Sequence, residues 1–459
     1  MDGTVQLLYR FHDDVRAATR DGDRITLSVA DWKDLSFTAE SPDSAAAILK
    51  LHGDGLTLAA LDRIAPGGAI RHYLERFSRA RLLAWRVVDA AGELLRAESR
   101  TAGYLPATGA APPGARFVLD RFAWLRRDAG GAVLESAAVR ASARPGCRGI
   151  AALAPLLAGD GSDDGLAQAL WRLGFCAQAE GAEPPPRQTW SFHDLLMHEA
   201  SRENRDDQAM GATCRFEGRF PAPPACKPPM PGQRLVLPPV DSQAVAAGSA
   251  PLHDLQGLRR SIRNYAAGPL PLEALGSFLW RSVRVTGRVD DPGQDPAQMP
   301  LLRPYPAGGL LHELEFYLAA ERCAGLAGCL YHYDGQDHAL IALPGSERAA
   351  ARIVSRASAA MGLAEAAARP QAVVVIASRL PRLAWKYEGT AYRTSLMHAG
   401  VVMELMYLVA ADMALAPCAI GSGDSRPFEE ATGIDRFEET AIAEFALGVP
   451  AEQDQGWRP

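Results

Sequence analysis

Apolar positions in the first half of the chain recur in short runs. Val5 to Phe11 and Arg24 to Ala30 alternate like strands, whereas Asp43 to Leu51, Leu56 to Ile64 and Ala69 to Leu83 carry the three-and-four spacing of helices. A hairpin is predicted over Ala84 to Glu98, turned at Asp89-Ala90-Ala91-Gly92, and a second over Phe117 to Ala141, turned at Asp128-Ala129-Gly130-Gly131. Two short helices follow, near Ile150 to Leu157 and Leu166 to Leu173. Short helices with a β-hairpin wing have the pattern of a winged helix, and it occurs twice, over 1–105 and 106–190.

The pattern then breaks. Pro184-Pro185-Pro186 and the stretch Phe220 to Gly232, which holds six prolines, cannot sustain a helix or a central strand, so 191–250 reads as an extended, proline-rich linker. From about Pro251 helices and strands alternate. Leu272 to Val285 is a helix with Pro271 at its first turn; Leu314 to Leu318, Gly328 to Tyr333 and Ala339 to Leu343 are strands; Glu347 to Met361 is a helix. Ala372 to Ala377 is a β-branched run of the kind buried in a sheet, and Ala441 to Val449 is the last strand. Thr390 to Met413 is a long helix, apolar on most of its circumference, which places it at the centre of a domain or in a subunit interface. The expected class is α+β: a domain over 251–459 with a central sheet, flanking helices and a long core helix, preceded by two winged-helix-like domains.

Composition narrows the classes. With 459 residues and 48% hydrophobic positions the chain supports several packed cores. No apolar run reaches about 18 residues without a polar break, and Met1 to Arg10 lacks the basic flank and apolar stretch of a signal peptide, so no membrane contact and a cytoplasmic location are expected. The net charge is −6, and residues 1 to 190 carry 23 basic and 23 acidic side chains, a poor footprint for nucleic acid, so none is expected as a partner. Arginines 71, 76, 79 and 81 cluster on one predicted helix, as a solvated face commonly does. Seven scattered cysteines fit reduced thiols better than a disulfide framework. His193, His198 and Glu199 lack the HExxH order, and five-residue spacing does not put both rings on one helical face; they read as structural histidines, and no metal is expected.

Lysine is scarce: Lys33, Lys50, Lys227 and Lys386 stand against 44 arginines. A GC-rich genome alone can produce that bias, and it suffices for the first three. Three segments invite chemistry. Arg259-Arg260-Ser261-Ile262-Arg263, placed just before a helix, gathers guanidinium forks and a hydroxyl suited to phosphate oxygens. Pro304-Tyr305-Pro306-Ala307-Gly308-Gly309 and Ile420-Gly421-Ser422-Gly423 are loops where bare backbone can approach a flat ligand, and neither is a GxGxxG dinucleotide fingerprint.

In this order the three segments resemble the FMN-dependent nitroreductase superfamily. The resemblance sharpens at Trp385-Lys386-Tyr387-Glu388-Gly389-Thr390-Ala391-Tyr392-Arg393, followed by the long helix and Gly421. That combination is similar to the McbC/SagB-type branch, the azoline dehydrogenases of ribosomally made, modified peptides, over residues 251 to 450 and more loosely over Trp190 to Arg202. The resemblance implies that Arg259, Arg260, Ser261 and Arg263 hold the FMN phosphate and ribityl chain, that Ala307, Gly308 and Gly309 border the flavin, and that Gly421 and Ser422 lie beside its ring. It assigns catalysis to Lys386 and Tyr387. It also implies a homodimer with FMN between subunits, an azoline-containing precursor peptide as substrate, a cyclodehydratase as partner, and a peptide-binding role for residues 1 to 190. The chain departs from the pattern at Ala307, often Ser in the family, and in having no basic residue near Val449 to complete a phosphate clasp. A lysine desolvated beside a flavin becomes a usable base, which is what removing a proton from an azoline ring requires. Two other readings stand beside this one: an FMN-dependent reductase of small nitroaromatics or quinones, and a non-catalytic adaptor of a peptide-modification complex.

Overall fold

The computed structural model describes residues 4–202, 209–289, 298–363 and 369–452. The chain divides into two compact units, Met1–Ala209 and Met210–Pro459.

The first unit is built on a seven-stranded antiparallel sheet in the order Leu56–Thr57, Gln6–Phe11, Leu83–Asp89, Gly92–Ser99, Ala141–Pro145, Gly131–Ser136, Ala123–Asp128. Both predicted hairpins are present in it. Helices Pro42–Leu49, Leu58–Ile64 and Ala69–Arg79 precede the first, and helices Cys147–Ala158 and Gly165–Arg172 follow the second. Ala141–Pro145 pairs with Gly92–Ser99, so the sheet runs unbroken past residue 105, where the division into two winged-helix-like domains was expected, and one core extends from Leu7 to Cys176. The helix from Ala69 is shorter than its apolar spacing suggests. It ends at Arg79, and Arg81 turns left-handed at φ 55°, so the fourth arginine of the predicted cluster lies beyond the helix. Residues Phe192–Ala200 form a helix capped by Ser191 rather than linker. His198 packs at 5.4 Å against Trp190, but His193 is 84% exposed and so is not the structural histidine expected.

The second unit is likewise a seven-stranded antiparallel sheet. Its order is Gln233–Val236, Ala339–Ala342, Leu330–Asp334, Leu314–Ala320, Ala372–Ser378, Thr440–Gly448, Ala416–Ile420. The two-residue period of a strand sends alternate side chains to opposite faces. Leu314, Phe316 and Leu318 therefore join Val374 and Ile376 in one core with Phe278 and Val402, while Tyr317 and Ala319 join Val373 and Val375 in another with Ile353 and Phe428. Both faces are covered, which is why Ala372–Ser378 reads as a continuous apolar run. Helices Leu272–Val283 and Ala391–Asp412 lie on the first face; Glu347–Ala360 and Arg426–Thr432 lie on the second.

Ala391–Asp412 buries His398, Val402, Met406 and Ala410 and leaves Met397 and Val401 exposed. The proline-rich stretch is extended, as its rings require, but it is no loose tether. Ala225 is buried, the carbonyls of Pro223 and Pro224 accept hydrogen bonds from Arg382 and Arg379, and the chain continues into the edge strand Gln233–Val236.

Candidate active site

The loop ahead of strand Leu314–Ala320 is held in an uncommon shape. Gly309, Leu310 and His312 all have positive φ (59°, 55° and 44°), which costs the two non-glycine residues about 1–2 kcal/mol each. Such strain persists only where the surroundings over-determine it, and it concentrates at functional sites. Here the surroundings are specific. The Gly308 N–H donates to His398 Nε2 at 2.8 Å, the Arg379 N–H donates to the Glu313 carbonyl, and the Arg382 side chain donates to the Leu311 carbonyl. Because Nε2 of His398 accepts, its ring proton sits on Nδ1 and is donated to the fully buried Glu313 carboxylate at 3.0 and 3.1 Å. His312 is buried edge-on to Tyr305 at 5.2 Å; burial, reinforced by Arg303, drives its pKa down to about 3, so it stays uncharged.

Lys386 and Tyr387 end the short helix Leu380–Lys386. Pro381 starts that helix, and Tyr387 leaves it in extended geometry with its N–H still bonded to the Leu383 carbonyl. A Cβ on Gly309 would stand 2.7 Å from the Tyr387 hydroxyl and 3.0 Å from Lys386 Nζ. Both functional groups therefore converge on Gly309, the second of the loop's two glycines. The structure brings Ala307, Gly308 and Gly309 together with Lys386 and Tyr387, and adds His398 and Glu313. A signal for His398 exists in the sequence: it is an imidazole on the buried face of an otherwise apolar helix. Lys386 is half-buried within the single chain.

The arginine segment lies elsewhere on the long helix. It follows helix Leu252–Leu258 instead of preceding one, with the Arg259 N–H capping the Leu255 carbonyl, so an anion here would meet side chains and not a helix N-terminus. The Arg259 guanidinium sits 5.4 Å from the ring centroid of Tyr407. The Tyr407 hydroxyl accepts from the Ala419 N–H at 2.8 Å and is 2.7 Å from Ser261 Oγ, to which it can donate. Ile262 N–H reaches the Pro417 carbonyl. These contacts lay the segment along strand Ala416–Ile420, at whose end Gly421 and Ser422 are exposed; beyond its chain neighbours, no atom of the described residues lies within 4 Å of where a Gly421 Cβ would be. Arg260 is half-buried and Arg263 exposed. His398 and Tyr407 are nine residues apart, about 13 Å along the axis and half a turn around it. The two groups of predicted residues thus occupy different levels and opposite sides of one helix.

Beneath Gly421 to Asp424 lies Glu444, 3% exposed, with one carboxylate oxygen lacking a partner among the described residues and the other 2.6 Å from where a Gly423 Cβ would be. Burial raises its pKa to about 7, the Asp424 N–H opposing and the Asp424 charge assisting. A carboxyl raised on folding from an ordinary value near 4.5 contributes stability that is full below 4.5 and lost as pH rises through 7, at most about 3 kcal/mol. Glu444→Gln should therefore raise the urea midpoint at about pH 8 and leave it nearly unchanged at about pH 4, flattening the profile between. An unaltered pH slope in the variant would show that Glu444 does not carry it.

Residues 258–449 match the sequence model of the Nitroreductase family. A putative nitroreductase of Methanocaldococcus jannaschii is 26% identical over 186 residues, 40% of this chain and 86% of the relative. Among solved structures, a putative nitroreductase of Ralstonia eutropha shares 20% identity at a TM-score of 0.35, covering 51% of this chain and all of that one. The E. coli microcin synthetase McbBCD complex with truncated pro-MccB17 bound contains a chain 17% identical at a TM-score of 0.35, covering 53% of this chain and 88% of that one. The matched residues include the antiparallel strands from Leu314–Ala320 to Thr440–Gly448 and their flanking helices, so the region 258–449 is similar to the Nitroreductase family.

Proposed function

We propose that this chain is an FMN-dependent dehydrogenase that oxidises thiazoline or oxazoline rings of a ribosomally made precursor peptide to thiazoles or oxazoles. The observation that carries the reading is the convergence of Lys386 Nζ and the Tyr387 hydroxyl on Gly309, in a loop pinned by the His398–Glu313 pair. A simple reductase of small aromatics needs no amine base at that point, whereas removal of a ring Cα proton does.

The donor set fits the cofactor. Arg259, Arg260 and Arg263 with Ser261 supply cationic forks and a hydroxyl for a phosphate and ribityl chain, and the open backbone at Gly421 and Ser422 leaves room for a flat ring. Bound FMN would supply the redox chemistry, taking up the Cβ hydrogen and its electron pair. The chain's residues do the rest. The Lys386 amine takes the Cα proton, and Tyr387, beside it, orients the ring or passes that proton outward. Glu313 holds His398, which holds the Gly308 amide and so the loop on which both side chains bear. The two groups of site residues lie on opposite sides of the long helix, and Met397 and Val401 leave an apolar strip exposed on it; the proposal therefore includes a homodimer in which each subunit completes the other's site. Residues 1 to 190 would hold the peptide or a partner cyclodehydratase.

The test is direct. The purified protein should bind FMN with a flavin absorbance spectrum, and an azoline-containing peptide incubated with it should lose about 2 Da per ring by mass spectrometry. Flavin binding with nitroaromatic turnover and no peptide oxidation would replace this reading by the small-molecule reductase, and failure to bind FMN would leave only the adaptor.

A further inference from the structure

We infer that residues 211–227, which precede the family match at 258, form a strap that positions the Lys386–Tyr387 pair and so belongs to the active site. The inference rests on the catalytic role proposed above for that pair.

From Gly211 to Pro224 the strap runs antiparallel to Arg379–Glu388. Gly211 and Glu388 exchange backbone hydrogen bonds at 3.1 and 2.9 Å, and the Cys214 N–H donates to the Lys386 carbonyl at 3.1 Å. Further along, Trp385 Nε1 donates to the Phe220 carbonyl at 3.0 Å, Arg382 to Pro223 at 2.7 Å and Arg379 to Pro224 at 2.8 Å. Prolines cannot donate to a ladder, but their carbonyls remain free to accept, and here arginines that are themselves buried use them.

The contacts around Glu388 matter most. Lys386 is the last residue of a helix, where carbonyls have no partner within the helix, and the Cys214 N–H satisfies its carbonyl. Cys214 adopts φ 51° at that point. The Glu388 carboxylate is held by Thr213 Oγ1 at 2.9 Å and Arg215 Nη1 at 3.2 Å. Tyr387 is thereby fixed between two anchored residues, and the direction of its side chain, and of Lys386, toward Gly309 follows. A displacement of about 1 Å in a reacting group can cost on the order of 10²-fold in rate.

The experiment uses the full chain carrying FMN, with Thr213→Val/Arg215→Ala, Arg215→Lys and Lys386→Ala in parallel. The double variant should lose at least about tenfold in kcat on the azoline peptide, with KM and FMN content within about twofold of the parent, and Arg215→Lys should recover part of the loss. Amide exchange at Tyr387 and Glu388 should quicken while that of Ala372–Ser378 stays unchanged, which distinguishes local release from unfolding. If Lys386→Ala is inactive but the double variant keeps its full kcat, the strap has no positioning role and the proposed function stands. If Lys386→Ala turns over at the parent rate, the proposed function falls and the inference with it.

Discussion

Lys386→Ala should lose about 10²–10⁴-fold in azoline oxidation while retaining its flavin. The side chain converges with Tyr387 on Gly309, on the opposite side of the long helix from Ser261 and Tyr407, so its removal leaves the proposed phosphate contacts intact. On the proposed function the lost step is proton abstraction, and the appropriate measurements are single-turnover oxidation followed by mass spectrometry and, separately, the FMN dissociation constant from quenching of flavin fluorescence. Tyr387→Phe should cost less, because the amine remains. Gly309 sharpens the assignment: a Cβ there would stand 2.7 Å from the Tyr387 hydroxyl and 3.0 Å from Lys386 Nζ, so a larger residue at 309 must displace the ends of both side chains and should lower turnover without touching the lysine. Turnover within a factor of about two in Lys386→Ala would remove the residue from the mechanism.

The pairing of Gly309 with Lys386 was half visible in the sequence. Each stands in a local motif, and local motifs survive in a linear reading. What joins them is the pairing of Leu314–Ala320 with Ala372–Ser378, whose register sets Leu314 opposite Ser378 and so brings the loop before one strand to the helix after the other. The strands themselves were legible because both faces are buried and their β-branched runs are continuous. Helix Ala391–Asp412 was legible for a similar reason. His398 leaves only the weak signal of an imidazole on an apolar helix face and Glu313 leaves none, because their meeting across 85 residues depends on that register. The strap is not legible from composition: the six prolines of Phe220–Gly232, three of them within the strap, exclude a helix or a central strand, and the sequence holds no sign that Arg379 and Arg382 use their carbonyls. Helix Arg426–Thr432, only seven residues long, has too few turns for periodicity to register.

Lys227→Met should destabilise the second unit by about 3–5 kcal/mol, the cost of leaving one member of a buried ion pair uncompensated. Composition placed this residue with Lys33 and Lys50 as an unremarkable lysine in a linker. The structure instead buries its side chain to 9% exposure against Glu439 at 3%, with the Tyr317 hydroxyl bonded to both. Removing the ammonium leaves the Glu439 carboxylate facing Tyr317 alone, in a region already carrying the buried Glu315–Arg379 pair and His332. The charge rather than the packing is at stake, because methionine nearly preserves the volume. Lys227→Met/Glu439→Gln should therefore recover most of the loss, since a neutral amide can still accept from and donate to Tyr317. The readout is amide exchange in Ala372–Ser378 and Thr440–Gly448, strands central to this unit, which reports its stability without requiring the whole chain to unfold in one step. A loss below about 1 kcal/mol in the single variant would mean that water reaches the pair and that the lysine is the surface residue its neighbours in the sequence suggested.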